Sequence, residues 1–143
     1  MKTEDTLVET NNLIAKFMGG RIIDDEQEYN SNLGYKVLVC HWKLPEGVPL
    51  HDIAGAKSGY FKYDLSWDWL MPVIRKINSL NKGTQFAIFK TYASCTVEKG
   101  GKFYKDFSFS HAEYITNEQS DIKACWKLVM RFVNWYDEYK PQE

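Results

Sequence analysis

Apolar positions recur at helical spacing in three stretches of the chain. In the first, residues 6–18, Thr10, Leu13, Ile14, Phe17 and Met18 fall on one face, which predicts an amphipathic helix with Leu13, Ile14, Phe17 and Met18 in the core. Thr6 and Glu9 have capping-box spacing, and Gly19-Gly20 can supply the left-handed residue that ends such a helix. In the second, Trp69, Val73, Ile77 and Leu80 repeat at i, i+4, i+8 and i+11 with Leu70 and Ile74 beside them, so a helix is predicted from Ser66 to about Leu80. Ser66 suits the N-cap, Leu65 and Leu70 are placed for a hydrophobic staple, and Asp68 puts negative charge in the first turn. Pro72 removes one backbone donor inside this helix and predicts a distorted or 3₁₀-like first turn. The third opens at Thr116-Asn117-Glu118-Gln119 and carries Ile122, Cys125, Val129, Phe132, Val133 and Tyr136 as a stripe, flanked by Trp126 and Trp135.

Between the helices the pattern changes. Tyr35 to Trp42 is rich in β-formers and predicts a strand. Gln85 to Val97 is long enough for one bent strand or two, with apolar residues on both sides of 86–89. Glu98-Lys99-Gly100-Gly101-Lys102 is the strongest hairpin signal, and Phe103 to Ser110 returns as a strand. Residues 21–34, with Asp24-Asp25-Glu26-Gln27-Glu28, predict an exposed loop, and 44–59 shows no strong period. The expected fold is α+β: a small, three- or four-stranded, largely antiparallel sheet with about three helices packed on it, α/β/α sandwich-like, in a single domain over 1–143.

Composition adds an aromatic share of 15%, high for a chain with 44% hydrophobic and 26% charged residues. The formal net charge of −1 gives no electrostatic footprint for nucleic acid or an anionic membrane. Cys40, Cys95 and Cys125 have no paired spacing. With no signal-peptide pattern at the N-terminus and no apolar run of membrane-spanning length, reduced thiols and a cytoplasmic location are expected.

Candidate chemistry is sparse. His41, His51 and His111 are not spaced as metal pairs, and the acidic run lacks calcium-loop spacing, so no metal and no cofactor are expected. His51 and Asp52 could act as an acid–base pair beside a pocket, with His111 as a third member of a small-ligand or nucleotide site. Any of the three cysteines could serve as a nucleophile if a histidine crossed the fold to it. Trp67 diverges from Trp69 by about 200° around a helix. It is therefore either an indole at the rim of the core or an anchor for a partner; Tyr63 and Tyr104 are its companion candidates for partner binding.

Ser66-Trp67-Asp68-Trp69-Leu70-Met71-Pro72-Val73 with Ile74-Arg75-Lys76-Ile77, the stretch Asn11 to Gly19, and Val129 to Tyr136 together resemble a family of small proteins carried by phages and mobile elements of gut-type bacteria. The layout is similar to the phage α/β/α sandwich domain. The resemblance implies ancestry and a layered fold, and no catalytic residues. The functional expectation is an accessory protein of a phage or mobile element that binds a host or phage protein, with a homodimer allowed. The alternative is a small-ligand or nucleotide-binding protein that counteracts a host defence signal.

Overall fold

The computed structural model describes residues 3–80, 84–97 and 109–139. Helix α1 runs from Thr3 to Phe17, beginning before the expected Thr6 cap, which leaves Thr6 inside the helix. Its end is a Schellman turn: Gly20 N–H donates to Ala15 O at 2.9 Å, Gly19 N–H donates to Lys16 O at 3.0 Å, and Gly19 takes a φ of 91°. Ile14 and Met18 are buried as expected, whereas Leu13 sits at the margin and is exposed. Asn11 is buried instead, and its Nδ2 donates to Phe61 O at 3.2 Å.

Strands β1 (Arg21–Asn30) and β2 (Tyr35–Lys43) form an antiparallel hairpin with a bulge between Ile22 and Asp24. The loop expected over 21–34 is thus a strand up to Asn30. Asp and Glu have poor strand propensity, but in the register Glu26 pairs with Val39 and Glu28 with Val37, both strong β-formers. Pairing context overrides intrinsic preference there. The aperiodic 44–59 stretch contains a 3₁₀ turn (Leu50–Asp52) and helix α2 (Ile53–Lys57). Trp42 is buried edge-on to Phe61, with ring centroids 4.9 Å apart. Gly59 has a φ of 85°, and a Cβ built there would meet Trp42 Nε1 at 2.9 Å. Gly59→Ala therefore combines a disfavoured backbone conformation with a clash against a buried indole. It should cost about 1–3 kcal/mol, read as a lower melting temperature and a shifted tryptophan emission. An unchanged melting temperature would refute this account.

The chain divides into two compact units, Met1–Phe61 and Lys62–Glu143. The elements above make up the first. The second holds helix α3 (Trp67–Ser79), strands β3 (Thr84–Ile88), β4 (Tyr92–Val97) and β5 (Phe109–Tyr114), and helix α4 (Asp121–Tyr139). Its three strands pair antiparallel in the order β3-β4-β5. The 85–97 stretch is two strands joined at Lys90-Thr91, with Phe89 N–H donating to Tyr92 O at 2.8 Å. The Gly-Gly turn at 98–102 and most of the expected 103–110 strand lie outside the described residues; β5 starts at Phe109 and continues past Ser110 to Tyr114.

Helix α3 buries Trp69, Leu70, Val73, Ile74 and Ile77 on the expected stripe. Its start differs from the expected one. Ser66 holds the N-cap position, but its hydroxyl makes no cap bond. Its carbonyl accepts from both Trp69 N–H (3.1 Å) and Leu70 N–H (3.0 Å), so the first turn mixes 3₁₀ and α bonding ahead of Pro72. No staple forms, because Leu65 is 68% exposed while Leu70 is buried. Tyr63, just upstream of the helix, packs edge-on against Trp69 with ring centroids 5.1 Å apart. Helix α4 begins later than Thr116. Thr116 Oγ1 accepts from Glu118 and Gln119 N–H in the preceding turn, and Ser120 caps the helix by accepting from Lys123 N–H at 3.3 Å.

Helices α3 and α4 pack on the sheet and on each other. Phe86, Cys95, Val97 and Phe109 are buried on the helix side, and Phe109 rests on Phe132 and Trp135. Among the described residues of this unit, both helices therefore pack on one face of the sheet. The described part of the chain contains four α-helices and two antiparallel sheets, an α+β protein.

Candidate functional site

Strand register sorts the side chains of the second sheet into rows. Successive residues point to opposite faces, and directly paired residues share one. On the face opposite α3 and α4, Gln85, Thr96 and Ser110 form one row, and Ala87, Ser94 and Ala112 the next. The third row is Phe89, Tyr92 and Tyr114: Tyr92 pairs with Tyr114, and the Phe89–Tyr92 hydrogen bond extends the β3–β4 ladder by one step. Among the described residues this face carries no charged side chain in any of the three rows.

The third row is a ladder of rings held in the open. Phe89 is 48% exposed, Tyr92 36% and Tyr114 68%. Phe89 stacks on Tyr92 with centroids 4.7 Å apart and planes 27° from parallel, and Tyr92 meets Tyr114 at 6.4 Å and 51°. Ile88, at the end of β3, is also exposed but pairs with Ala93 and so belongs to the opposite face. Large apolar groups gathered at the surface mark contact sites more often than scattered ones do. Sequence reading did not find this row. Its members are spread over 26 positions, from 89 to 114, and Lys90-Thr91 lacks the glycine or asparagine that advertises a hairpin.

A second cluster lies along the edge strand β5. Arg131 on α4 forms an ion pair with Glu113 at 2.9 Å and approaches His111 Nδ1 at 3.3 Å through its other terminal nitrogen. Gln119 Nε2 donates to Glu113 at 3.1 Å and to Tyr114 O at 2.9 Å, and Lys127 Nζ reaches Gln119 Oε1. Every polar group in this chain of contacts has a protein partner, and Arg131 is exposed to solvent. Such a network fixes α4 to β5 and tethers the base of Tyr114. Its geometry is that of a structural clasp.

The residues singled out from sequence fall in different settings. Trp67 is half-buried at the start of α3. Tyr63 is 1% exposed and its hydroxyl is held above its ordinary pKa by burial, so it is a core residue and not a surface anchor. Tyr104 lies outside the described residues. His51 and Asp52 do come together, with Nε2 and Oδ2 3.3 Å apart, but the imidazole is 74% exposed on a 3₁₀ turn in the first unit. His111 belongs to the second unit and has its own neighbours, Arg131 and the ring of Phe109.

Cys95 sits directly across from His111 in the β4–β5 ladder. Burial pushes the Cys95 thiol up to about 12, so near neutral pH it stays protonated and is no nucleophile. Cys125 is likewise pushed up to about 12, by burial first and by the charge of Asp121 second. Among the described residues no group of three or more His, Cys, Asp or Glu is placed to hold a metal ion, and no helix is long and apolar enough to cross a membrane. Comparisons with family models, with curated proteins and with solved structures returned no match.

Proposed function

We propose that this protein works by binding another protein, and that the contact is made through the open face of the β3-β4-β5 sheet. The observation that carries the reading is the exposed Phe89-Tyr92-Tyr114 row. Two stacked rings and a third beside them offer rigid apolar area at low entropic cost, the property that makes aromatic residues dominate protein contacts. The absence of charge in the three rows is the usual composition of the centre of an interface rather than its rim. In the setting suggested by the sequence resemblance, the protein is an accessory factor of a phage or mobile element and its partner is a host or phage protein.

The test uses the full chain immobilised against a bacterial host lysate. The wild type should retain one dominant protein, and the triple variant Phe89→Ser, Tyr92→Ser, Tyr114→Ser should lose it while keeping its circular dichroism spectrum. Retention by both chains would move the contact elsewhere, with Trp67 next to be replaced. The small-molecule alternative gains nothing from His51 and Asp52, whose exposed pair sits on a 3₁₀ turn.

A further inference from the structure

We propose that two copies of this chain pair through the outer edge of β2, joining their hairpins into one antiparallel sheet in the order β1-β2-β2-β1. This contact belongs to the first unit and does not depend on the aromatic row of the second. The hairpin is an incomplete sheet. It has two strands, and such a ribbon is marginal in water until further strands or a helix extend it. Among the described residues no strand meets the other edge of β2, which leaves a row of main-chain N–H and C=O groups for a further strand. The turn after α2 covers the Trp42 end, where Gly59 lies against the indole. At the far end Tyr35 is 59% exposed and Lys36 is exposed as well. The open stretch is therefore residues 35–41.

The other edges carry protection that this one lacks. Strand β1 holds Asp24, Asp25, Glu26 and Glu28, and it is bulged between Ile22 and Asp24. Charge and bulges are two of the devices that keep an edge from pairing. Every antiparallel register of β1 with its own copy centred between Asp24 and Glu28 sets at least one pair of acids directly opposite, which is repulsive. On β3, Asn78 Oδ1 takes up the Phe86 N–H at 2.7 Å. Strand β2 has an unbroken register and no acidic residue, and Val37-Leu38-Val39 at its centre are strong strand formers.

Twofold pairing of β2 is also free of charge conflict. Residues whose main-chain groups point out of the edge alternate along a strand, so in a pair of identical antiparallel strands opposite residues share parity. Lys36 and Lys43 differ in parity and can never stand directly opposite each other. With the open stretch centred on the twofold axis, Leu38 meets the partner's Leu38. Val37 is then opposite the partner's Val39, Lys36 opposite the partner's Cys40, and Tyr35 opposite the partner's His41. Such a ladder exchanges about six to eight main-chain hydrogen bonds. The acidic β1 strands become the two outer edges and stop further growth, so the assembly closes as a dimer.

The test is analytical ultracentrifugation of the full chain from about 1 µM to about 1 mM, with a concentration-dependent mass that levels at two chains expected. Val37→Lys/Val39→Lys sets two pairs of like charges across the axis and should weaken the dimer about tenfold or more. Within one chain the same lysines stand opposite Glu28 and Glu26, so the hairpin is supported and the circular dichroism spectrum should be kept. Cross-linking gives a second measurement that needs no loss of folding. In a Cys40→Ser background, Leu38→Cys should form an intermolecular disulfide on mild oxidation. Val37→Cys and Val39→Cys should not, because each lies opposite the other position and too far from its own copy.

A mass of one chain at every concentration overturns the proposal. So does equal cross-linking at positions 37, 38 and 39, or a dimer untouched by Val37→Lys/Val39→Lys. Assemblies that grow beyond two chains would mean that β1 of one copy pairs with β2 of the next, and they overturn it too. A dimer abolished by Tyr114→Ala but not by the lysine pair would place the contact on the aromatic row. Loss of lysate capture in the aromatic-row triple variant with the β2 dimer intact would keep the two contacts separate, as proposed.

Discussion

Trp69→Ala should destabilise the protein by about 3–5 kcal/mol, the range for deleting a fully buried large aromatic. Trp69 is 1% exposed, and its neighbours on the stripe, Leu70, Val73 and Ile77, are completely buried. Tyr63 packs edge-on against its ring, so truncation also strips a contact from a second buried aromatic. Domains of this size are stable by about 5–15 kcal/mol, so the loss is a large part of the whole. The melting temperature should fall by roughly 10–20 °C. Trp67→Ala is the matched control, two residues away on a half-buried position, and should cost about 1 kcal/mol. Equal costs for the two tryptophans, measured by urea denaturation, would contradict the packing described for α3.

The difference between those two tryptophans was readable from spacing alone, because helical periodicity is a local property. The same holds for the stripes of α3 and α4, where Trp69, Val73, Ile77, Cys125, Val129 and Phe132 are all buried. Helix ends were read less well. Ser66 and Thr116 both look like caps, yet Ser66 makes no side-chain cap bond and Thr116 closes the turn before the helix that Ser120 starts. A hydroxyl can satisfy several nearby donors, and which one it takes depends on the path of the chain.

What sequence could not convey is pairing. Strand β1 is acidic enough to read as a loop, and only its β2 partner makes it a strand. The aromatic row has the same origin. Phe89, Tyr92 and Tyr114 become neighbours only once the β3–β4 turn and the β4–β5 register are set. Tyr63 shows the same limit from the other side: it is close to Trp67 in sequence, yet it is 1% exposed and its ring packs edge-on against Trp69.

Stability should fall as pH rises above 9, and the buried thiols set the onset. Cys95 and Cys125 have an ordinary value of 9.0 and are pushed up to about 12 in the folded chain. Burial disfavours the thiolate, so the folded state holds its thiol protons while the unfolded chain gives them up. Below pH 9 both states are protonated and the contribution is fully present. Between 9 and about 12 it is progressively lost, at a limiting slope of about 1.4 kcal/mol per pH unit for each group. Tyr63, raised by burial from an ordinary value of 10.0, adds a second loss that begins one unit higher. Urea midpoints at about pH 8 and about pH 10 should therefore differ clearly in the wild type, and Cys95→Ala/Cys125→Ala should flatten the difference. The double variant starts less stable, because two buried sulfurs are removed, so the slope with pH and not the midpoint is the decisive quantity. A slope unchanged by the double substitution would show that these thiols do not carry the alkaline transition. Native-state labelling supplies an independent check: in a Cys40→Ser background, Cys95 and Cys125 should react with a thiol reagent only at the rate at which the fold opens.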